Sequence, residues 1–387
     1  MARGAPRESP MMVANMANWL ARIQRRTWII FGGYAVAFVV VAITNFLELP
    51  PLVRFGAAVL ALAGGAVAVS EATERLAVRL SPAATGVVQS TLGNLPELFL
   101  AIFALQAGLV QVVAAALVGS VLGNALFVLG LALLVGGLKH GHLRFSAAAN
   151  RLYATELLLG IGALIIPFLA TQPGAPDFGH AEELSAFVAI VLLVVFAISV
   201  PISLRLKEAG PGATPDVESQ DDENEPPHAI PPLGETLLLL GGSAASAAFV
   251  ADWFVEALEP SMASIGMSEA FAGLIIVAVA GNAIEHLAGV TAAYKNKADL
   301  SLSLILNSAL QVVLFLAPVI VLLSFFVAPV PLTLVFDPLL LGTLAVTGLL
   351  VYAIVTDGEA NAFEGAMLLG LYAIIGAAVW FGPTIHT

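Results

Sequence analysis

Residues 93–97 read Gly-Asn-Leu-Pro-Glu, and residues 281–285 read Gly-Asn-Ala-Ile-Glu. Both stretches lie inside long apolar segments, and the second follows the first by 188 residues. The same offset relates Ser120 to Ser308, each in the apolar segment that comes next along the chain. Matching motifs at one fixed offset indicate two copies of a single structural unit.

The segments that carry these motifs are long enough to be transmembrane helices. The chain has 387 residues, of which 59% are hydrophobic and only 11% are charged, whereas a soluble domain carries about 25% charged residues. Each apolar segment can cross a ~30 Å hydrocarbon core as a helix. We therefore predict an all-α polytopic membrane protein with eleven spans, at residues 28–46, 53–70, 83–107, 110–138, 153–171, 184–204, 234–254, 268–293, 299–326, 337–355 and 361–381.

The composition also excludes several classes of function. The net charge of −12 argues against nucleic-acid binding, which needs clustered lysine and arginine. The absence of cysteine excludes disulfides, thiolate nucleophiles and cysteine metal sites. An intramembrane enzyme would need an Asp-rich diphosphate motif or a catalytic His/Ser pair, and we find neither. The expected class is a transporter without a cofactor.

The basic residues predict how the chain is oriented. With a cytoplasmic N-terminus and eleven spans, every lysine and arginine except Arg54 lies on the cytoplasmic side. We expect a bacterial inner membrane rather than an organelle membrane. The predicted organisation is a cytoplasmic or interfacial segment (1–27), an extra span (28–46), a first repeat (53–204), an acidic cytoplasmic linker (205–232) and a second repeat (233–381).

Each predicted repeat has five spans, and this odd number inverts the second copy in the membrane. Inverted repeats are typical of secondary transporters, which bind substrate near the bilayer midplane between discontinuous helices. A channel is the less favoured alternative, because paired titratable acids in an inverted repeat favour alternating access. The repeat therefore predicts one substrate site between the two motifs, with each repeat contributing one half of it.

The two carboxylates are the main candidate ligands. Charged residues at mid-bilayer cost a few kcal/mol or more and are functional by default. Glu97 and Glu285 each follow a Gly-Asn pair that weakens the helix, and Asn94 and Asn282 add neutral oxygens. Carboxylate, amide and backbone oxygens form a hard-oxygen site that suits Ca²⁺ better than Mg²⁺.

The same carboxylates predict coupling to protons. Desolvation and mutual repulsion favour the protonated acids when no metal is present, and a bound divalent cation displaces the protons. Metal and proton then compete for Glu97 and Glu285. His286 is a further proton-coupling candidate, with a helix–helix hydrogen bond as the alternative role.

Polar residues on the neighbouring spans are candidate site-lining groups. Ser120, Asn124, Ser308 and Gln311 lie on the segments that follow the two motifs. Small polar residues also join membrane helices through hydrogen bonds, and this purely structural role remains open.

Acidic residues at the ends of two spans could attract cations to the entrances. Glu71 and Glu74 end span 2 on the predicted cytoplasmic side, and Glu256 and Glu259 end span 7 on the other side. The alternative is ordinary interfacial charge.

The motifs resemble a known family. Two stretches resemble the two α-repeats of the Ca²⁺/H⁺ antiporter (CAX) branch of the cation/Ca²⁺ exchanger superfamily: Gly93-Asn94-x-x-Glu97 with Phe103-Ala104-Leu105, and Gly281-Asn282-Ala283-x-Glu285-His286 with Lys295-Asn296-Lys297-x-Asp299-Leu300. The tail Asp357-Gly358-x-x-Asn361-x-x-Glu364-Gly365 also resembles that branch. The resemblance implies an eleven-helix exchanger that binds metal between the repeats. It implies Glu97 and Glu285 as central ligands, supported by Asn94, Asn282, Ser120, Ser308 and Gln311.

One alternative has the same architecture. A Na⁺-driven Ca²⁺ exchanger, or another cation/H⁺ antiporter of this fold, could use the same oxygens. The Glu285-His286 pair favours protons. The expected partners are Ca²⁺ and H⁺ as transported substrates and the lipid bilayer, without nucleic acid, and a homo-oligomer stays open.

Overall fold

The computed structural model describes residues 10–80, 82–175, 177–209 and 232–381, and nearly all of them are helical. The first part of the chain comprises α1 (Pro10–Phe46), α2 (Pro51–Ala77), α3 (Pro82–Leu92), α4 (Leu95–Gln106), α5 (Val110–Leu122), the π-helical turn π1 (Gly123–Val128), α6 (Leu129–His140), strand β1 (Leu143–Arg144), α7 (Ala147–Ala170) and α8 (Ala181–Ala209).

The second part repeats this order with small differences. It comprises α9 (Leu233–Ile265), α10 (Glu269–Phe271), π2 (Ala272–Val277), α11 (Ala278–Gly281), α12 (Ala283–Tyr294), α13 (Ala298–Gln311), π3 (Val312–Leu316), α14 (Ala317–Val327), α15 (Pro338–Thr356), strand β2 (Glu359–Ala360) and α16 (Ala362–Trp380).

The helices agree with an all-α membrane protein. Among the described residues, nine helices are long and apolar enough to cross a membrane, and one bent pair around Asn282 makes a tenth. The remaining predicted span, 83–107, is divided into α3 and the short apolar α4. The count of eleven therefore stays a prediction, because it requires α3 and α4 to cross together.

The predicted ends of the two repeats differ from the helices in detail. Residues 10–27, predicted as part of an interfacial segment, belong to the same continuous helix as the first span. The last span of the first repeat continues as helix to Ala209, and the rest of the acidic linker, 210–231, lies outside the described residues.

One face of the molecule collects the loops rich in lysine and arginine, and we call it the basic face. There β1 pairs antiparallel with β2, which joins the loop after α6 to the loop after α15. The carboxylate of Asp299 accepts hydrogen bonds from the backbone N–H of Ser146 (2.7 Å) and the Nδ2 of Asn150 (3.3 Å). These bonds tie the start of α13 to the start of α7.

We call the other end of the molecule the opposite face. Contacts there join the ends of helices that lie away from the basic face. Arg54 at the start of α2 pairs with Glu256 near the end of α9 at 2.9 Å. The hydroxyl of Ser268 donates to the carbonyl of Val379 at 2.6 Å. The start of α5 packs beside α10 on this face, so the helix that follows α4 begins at the opposite face.

Two residues of the tail motif form the N-terminal cap of the last helix. Asn361 caps α16, and its side chain accepts from the backbone N–H of Glu364 while the Glu364 carboxylate accepts from the N–H of Asn361. Such a capping box satisfies backbone donors that the helix leaves unpaired. This part of the motif starts the last helix and does not reach the site described below.

The helices of the two repeats pack on each other rather than forming separate domains. The most extensive pairing joins α2 to α9, and further pairs are α6 with α16, α7 with α15 and α5 with π2. Close approach requires small residues, as is usual in membranes. A Cβ added at Gly365 would lie 2.4 Å from the backbone nitrogen of Leu134. The contact between α6 and α16 at this point is therefore made by backbone atoms.

Candidate cation site

Two helix breaks form the centre of the site. In the first repeat, α3 ends at Leu92 and α4 begins at Leu95. Pro96 has no N–H, so the carbonyl of Leu92 lacks a helical donor. In the second repeat the helices on either side of Asn282 are bent by 66°. Each break places an asparagine just before the second helix and a glutamate in its first turn.

The structure brings the two carboxylates together. Glu97 packs against the break of the other repeat, where a Cβ added at Gly281 would lie 2.9 Å from its Cγ and 3.0 Å from its Oε1. Glu97 and Glu285 are close enough to repel each other when both are charged. Among the described residues, neither Oε2 has a hydrogen-bond partner, although both atoms are buried. Two unsatisfied carboxylate oxygens in an apolar interior require a proton or a cation.

The break asparagines are oriented by their own helices. The Nδ2 of Asn94 donates to the carbonyl of Ser90 at 2.7 Å, and the Nδ2 of Asn282 donates to that of Ala278 at 3.0 Å. Because the amide nitrogens are used in this way, the Oδ1 atoms are the groups that these residues can offer to a cation.

Each break asparagine also reaches the other repeat. The Nδ2 of Asn94 donates to the Oε1 of Gln311 at 3.4 Å, and the Nδ2 of Asn282 donates to the Oγ of Ser120 at 3.3 Å. Four of the predicted site residues are thus joined in two cross-repeat pairs. These pairs link the breaks to the spans that pack beside them.

Asn124 lies fully buried within π1. Its Nδ2 donates to the carbonyl of Ser120 at 2.9 Å, and its Oδ1 has no partner among the described residues. The repeat-related span has a π-turn at the same place, π3, which follows the half-buried Ser308. Single π-turns in helices occur frequently at functional sites. Asn124 is therefore an available neutral oxygen. Ser308 forms no hydrogen bond with a carboxylate in the part of the chain that the structure describes.

His286 is buried beside Glu285 in sequence but points to a different neighbour. Its ring lies edge-on to Phe127, with centroids 6.3 Å apart. Its Nε2 is buried and has no hydrogen-bond partner in the described part of the chain. The structure therefore does not place it in a hydrogen bond with either carboxylate.

The predicted entrance acids separate into two kinds. Glu71 is buried and forms ion pairs with Arg26 (3.3 Å) and Arg75 (3.6 Å), so its charge is neutralised within the fold. Glu256 is ion-paired with Arg54. These partners argue against an entrance role for both acids.

Glu74 and Glu259 are exposed. Glu74 lies close enough to interact electrostatically with Glu285. Glu259 interacts in the same way with Glu269 at the opposite face, and among the described residues no contact connects it to Glu97 or Glu285.

The sequence analysis named Gln311 on α13 but missed Ser303 and Asn307, which form a polar stripe with it. Ser303 is half-buried, Asn307 is exposed and Gln311 contacts Asn94, so this side of α13 faces the first break. The spacing of four residues between these three side chains places them on one side of a helix. That spacing could have identified the stripe from the sequence.

A narrow cavity continues from Glu97 toward the opposite face. Apart from Glu97 and Ser120 its lining is apolar, and it includes Leu100, Leu117 and Ile320. It leaves room for about one water molecule. A hydrated ion cannot pass through this cavity as it stands.

The donor set has the chemistry of a hard cation site. No group of three or more histidine, cysteine, aspartate or glutamate side chains is arranged to hold a metal within residues 10–80, 82–175, 177–209 and 232–381. Two carboxylates must therefore be completed by amide, hydroxyl and backbone oxygens or by water. Oxygen ligands of this kind suit Ca²⁺, which accepts a flexible shell of six to eight.

Comparison with known proteins agrees with this geometry. A family model described as sodium/calcium exchanger protein matches residues 50–205 and 235–381. A Ca²⁺/H⁺ antiporter of Aphanothece halophytica is 34% identical over 365 residues, which cover 92% of this chain and 97% of the relative. A Ca²⁺/H⁺ antiporter of Synechocystis sp. is 36% identical over 329 residues, which cover 81% and 87%.

A solved structure has the same fold. The structure of native YfkE matches with a TM-score of 0.76 at 29% identity, and the match covers 91% of this chain and 99% of that chain. The two family-matched ranges also nearly coincide with the two predicted repeats. The resemblance inferred from the Gly-Asn-x-x-Glu motifs is confirmed, and the chain belongs to the sodium/calcium exchanger protein family.

Proposed function

We propose that this chain is a secondary transporter that exchanges Ca²⁺ for H⁺ by alternating access. The observation that carries the proposal is the pair Glu97 and Glu285, brought from two repeats into one buried site with an unpaired oxygen on each. Relatives that match nearly the whole chain are named Ca²⁺/H⁺ antiporters. Family and site chemistry thus support the same activity.

The mechanism follows from competition at the carboxylates. With Ca²⁺ bound, both acids are deprotonated, and Asn94, Asn282 and Asn124 complete the shell with amide oxygens. Without Ca²⁺, mutual repulsion and the low-dielectric surroundings favour proton binding. Because one pair of groups holds either the metal or protons, each reorientation of the site moves one of them and returns the other.

We place the basic face in the cytoplasm and the N-terminus with it, in a bacterial inner membrane. The positive-inside bias supports this orientation. The exposed side chains of Glu74 and Asn307 then give the site an aqueous approach from the cytoplasm. The apolar cavity beyond Glu97 closes it from the other side.

The test is uptake of ⁴⁵Ca²⁺ into proteoliposomes under a pH gradient without Na⁺. We expect E97Q and E285Q each to reduce proton-driven uptake to the background of empty vesicles, because an amide cannot exchange a proton for a metal. Glu359→Gln is the control, since this exposed acid pairs only weakly with Arg144 at 3.8 Å. Full uptake by either glutamine variant would contradict the carboxylate mechanism.

The same vesicles distinguish the Na⁺-driven alternative. A Na⁺ gradient without a pH gradient should give no uptake. Under a pH gradient, Ca²⁺ uptake should alkalinise the lumen, because protons leave in exchange for the Ca²⁺ that enters. Uptake driven by Na⁺ alone would replace the proposed activity with Na⁺/Ca²⁺ exchange.

A further inference from the structure

The two repeats cross each other at a point where their backbones touch. A Cβ added at Gly119 in α5 would lie 2.3 Å from the carbonyl oxygen of Leu274, and one added at Gly273 in π2 would lie 2.3 Å from that of Val112. Distances below 3 Å exclude any side chain unless the backbone moves. Two glycines from different repeats thus make this crossing, on the opposite-face half of the molecule, as close as helices can come.

The repeat predicts a second crossing of the same kind on the basic-face half. At the offset of 188 residues, Gly119 corresponds to Asn307 in α13, and Gly273 corresponds to Thr85 in α3. Neither position is a glycine. Asn307 is exposed, and the hydroxyl of Thr85 donates to the carbonyl of Ala77 at 3.2 Å. Within the described residues, α3 packs mainly on α2 and α8, so the close contact of the first crossing is not repeated there.

Local helix geometry differs between the two crossings as well. The closed crossing contains the π-turn π2, whereas its repeat-related residues 84–89 lie in the regular α-helix α3. A π-turn adds a residue to one turn and widens it, which changes the direction in which the following residues point. The same segment of the repeat therefore has two conformations in one molecule.

We propose that Gly119 and Gly273 are positioning residues that hold the site open to the basic face, and that Asn307 and Thr85 weaken closure on that face. Gly119 precedes Ser120, and the closed crossing brings Ser120 within 3.3 Å of the Nδ2 of Asn282. The glycine crossing thus assembles the opposite-face half of the site. At the other crossing, the side chains of Asn307 and Thr85 keep α13 and α3 apart. The conformation in which the site is open to the basic face is therefore the more populated one.

This proposal deepens the proposed exchange function, but its test does not require transport. The chain contains no cysteine, so a single introduced cysteine reports access to a water-soluble maleimide. Ser303→Cys on the polar stripe of α13 reports on the basic-face side. Ala101→Cys, which lines the narrow cavity beyond Glu97, reports on the opposite side. Labelling rates are measured on purified protein in detergent, where reagent reaches both faces.

We expect Gly119→Ala and Gly273→Ala to slow labelling of S303C and to accelerate labelling of A101C, each by about tenfold, because a two-state balance moves both populations in opposite directions. The double change Thr85→Gly with Asn307→Gly should act in the same sense, because it allows close approach at the basic-face crossing. It removes bulk and therefore tests the idea without steric damage. Gly162→Ala, where nothing lies within 4 Å of an added Cβ, should leave both rates unchanged.

A purely structural role for the glycines predicts something different. Loosened packing would accelerate labelling at both reporter positions, and that outcome, or no change at either, would overturn the proposal. If labelling moves as expected while ⁴⁵Ca²⁺ exchange is absent, the positioning role stands and the proposed function fails. If exchange is present and the labelling does not move, the positioning role fails alone.

Discussion

The two helix breaks begin with the same Gly-Asn pair and place a glutamate at the same distance from it, yet they have different surroundings. The break of the second repeat has Asn282 buried, its amide bonded to Ser120, and Gly281 pressed against Glu97. The break of the first repeat has Asn94 half-buried, with a longer bond of 3.4 Å to Gln311. Identical motifs thus adopt a closed and an open arrangement at once. In an inverted repeat this difference defines the side from which the site is reached.

The largest effect is expected at the point where the two repeats touch. Gly281→Ala would bring a methyl group to 2.9 Å from Cγ of Glu97, so the carboxylate must move out of the shared site. We expect the KM for ⁴⁵Ca²⁺ to rise by more than about tenfold, equivalent to about 1.4 kcal/mol, with the protein still folded by circular dichroism.

Gly342→Ala serves as the control for that substitution, because an added Cβ there meets nothing within 4 Å. Wild-type affinity in G281A would show that Glu97 does not need its place against the second break.

The two break asparagines, Asn94 and Asn282, allow a direct comparison of the two helix breaks. Both amides donate two hydrogen bonds, but Asn282→Ala removes a buried amide, whereas Asn94→Ala removes one that is only half-buried. We expect a rise in KM of about tenfold for N282A and of about threefold for N94A, in line with the cost of losing buried polar partners. Initial rates of ⁴⁵Ca²⁺ uptake over a range of Ca²⁺ concentrations measure both. Equal effects would mean that the two breaks contribute alike despite their different burial.

A smaller effect is expected at the open approach. Glu74 is exposed and interacts electrostatically with Glu285, so Glu74→Gln should lower the rate of Ca²⁺ capture by about twofold at low ionic strength. The difference should vanish in high salt, since exposed charges are screened there. Glu259→Gln at the opposite face is the matched variant. A loss that persists in high salt would argue for direct coordination by Glu74 instead.

The smallest effect on transport is expected from the ion pairs that hold helices together. Glu71 is buried against two arginines, whereas Glu256 is exposed and pairs with one. Glu71→Gln should reduce the free energy of unfolding by about 2 kcal/mol, and Glu256→Gln by less than about 0.5 kcal/mol. Thermal unfolding in detergent compares them, and transport at low temperature should stay near wild type for both. A loss of transport in folded E71Q would restore the entrance role that the ion pairs argue against.

Much of the fold could be read from the sequence because membrane burial leaves a strong signal. Long apolar segments predicted nearly every helix, since a backbone without water must satisfy its hydrogen bonds within a helix. The division of span 83–107 was foreseeable from Pro96, which removes a helical donor. The continuation of α8 to Ala209 was not, because local sequence marks helix ends only weakly.

The site residues that belong to the repeated motif could be predicted from the sequence. Glu97, Glu285, Asn94 and Asn282 carry the repeated motif, and their contacts cross between repeats as a shared site requires. The ion pairs of Glu71 were not predictable, because Arg26 lies on another helix and its distance from Glu71 depends on packing. The same holds for the edge-on contact of His286 with Phe127.

The sequence by itself determined that the chain is helical, lies in a membrane and carries one acid in each of two matching motifs. These properties follow from hydrophobicity and chain order, which act locally. Only the tertiary structure decided that Glu97 rests against Gly281, and that Gly119 and Gly273 each lie against the backbone of a helix in the other repeat. Those outcomes depend on close packing between distant helices, where a difference of one methyl group changes which backbones can touch.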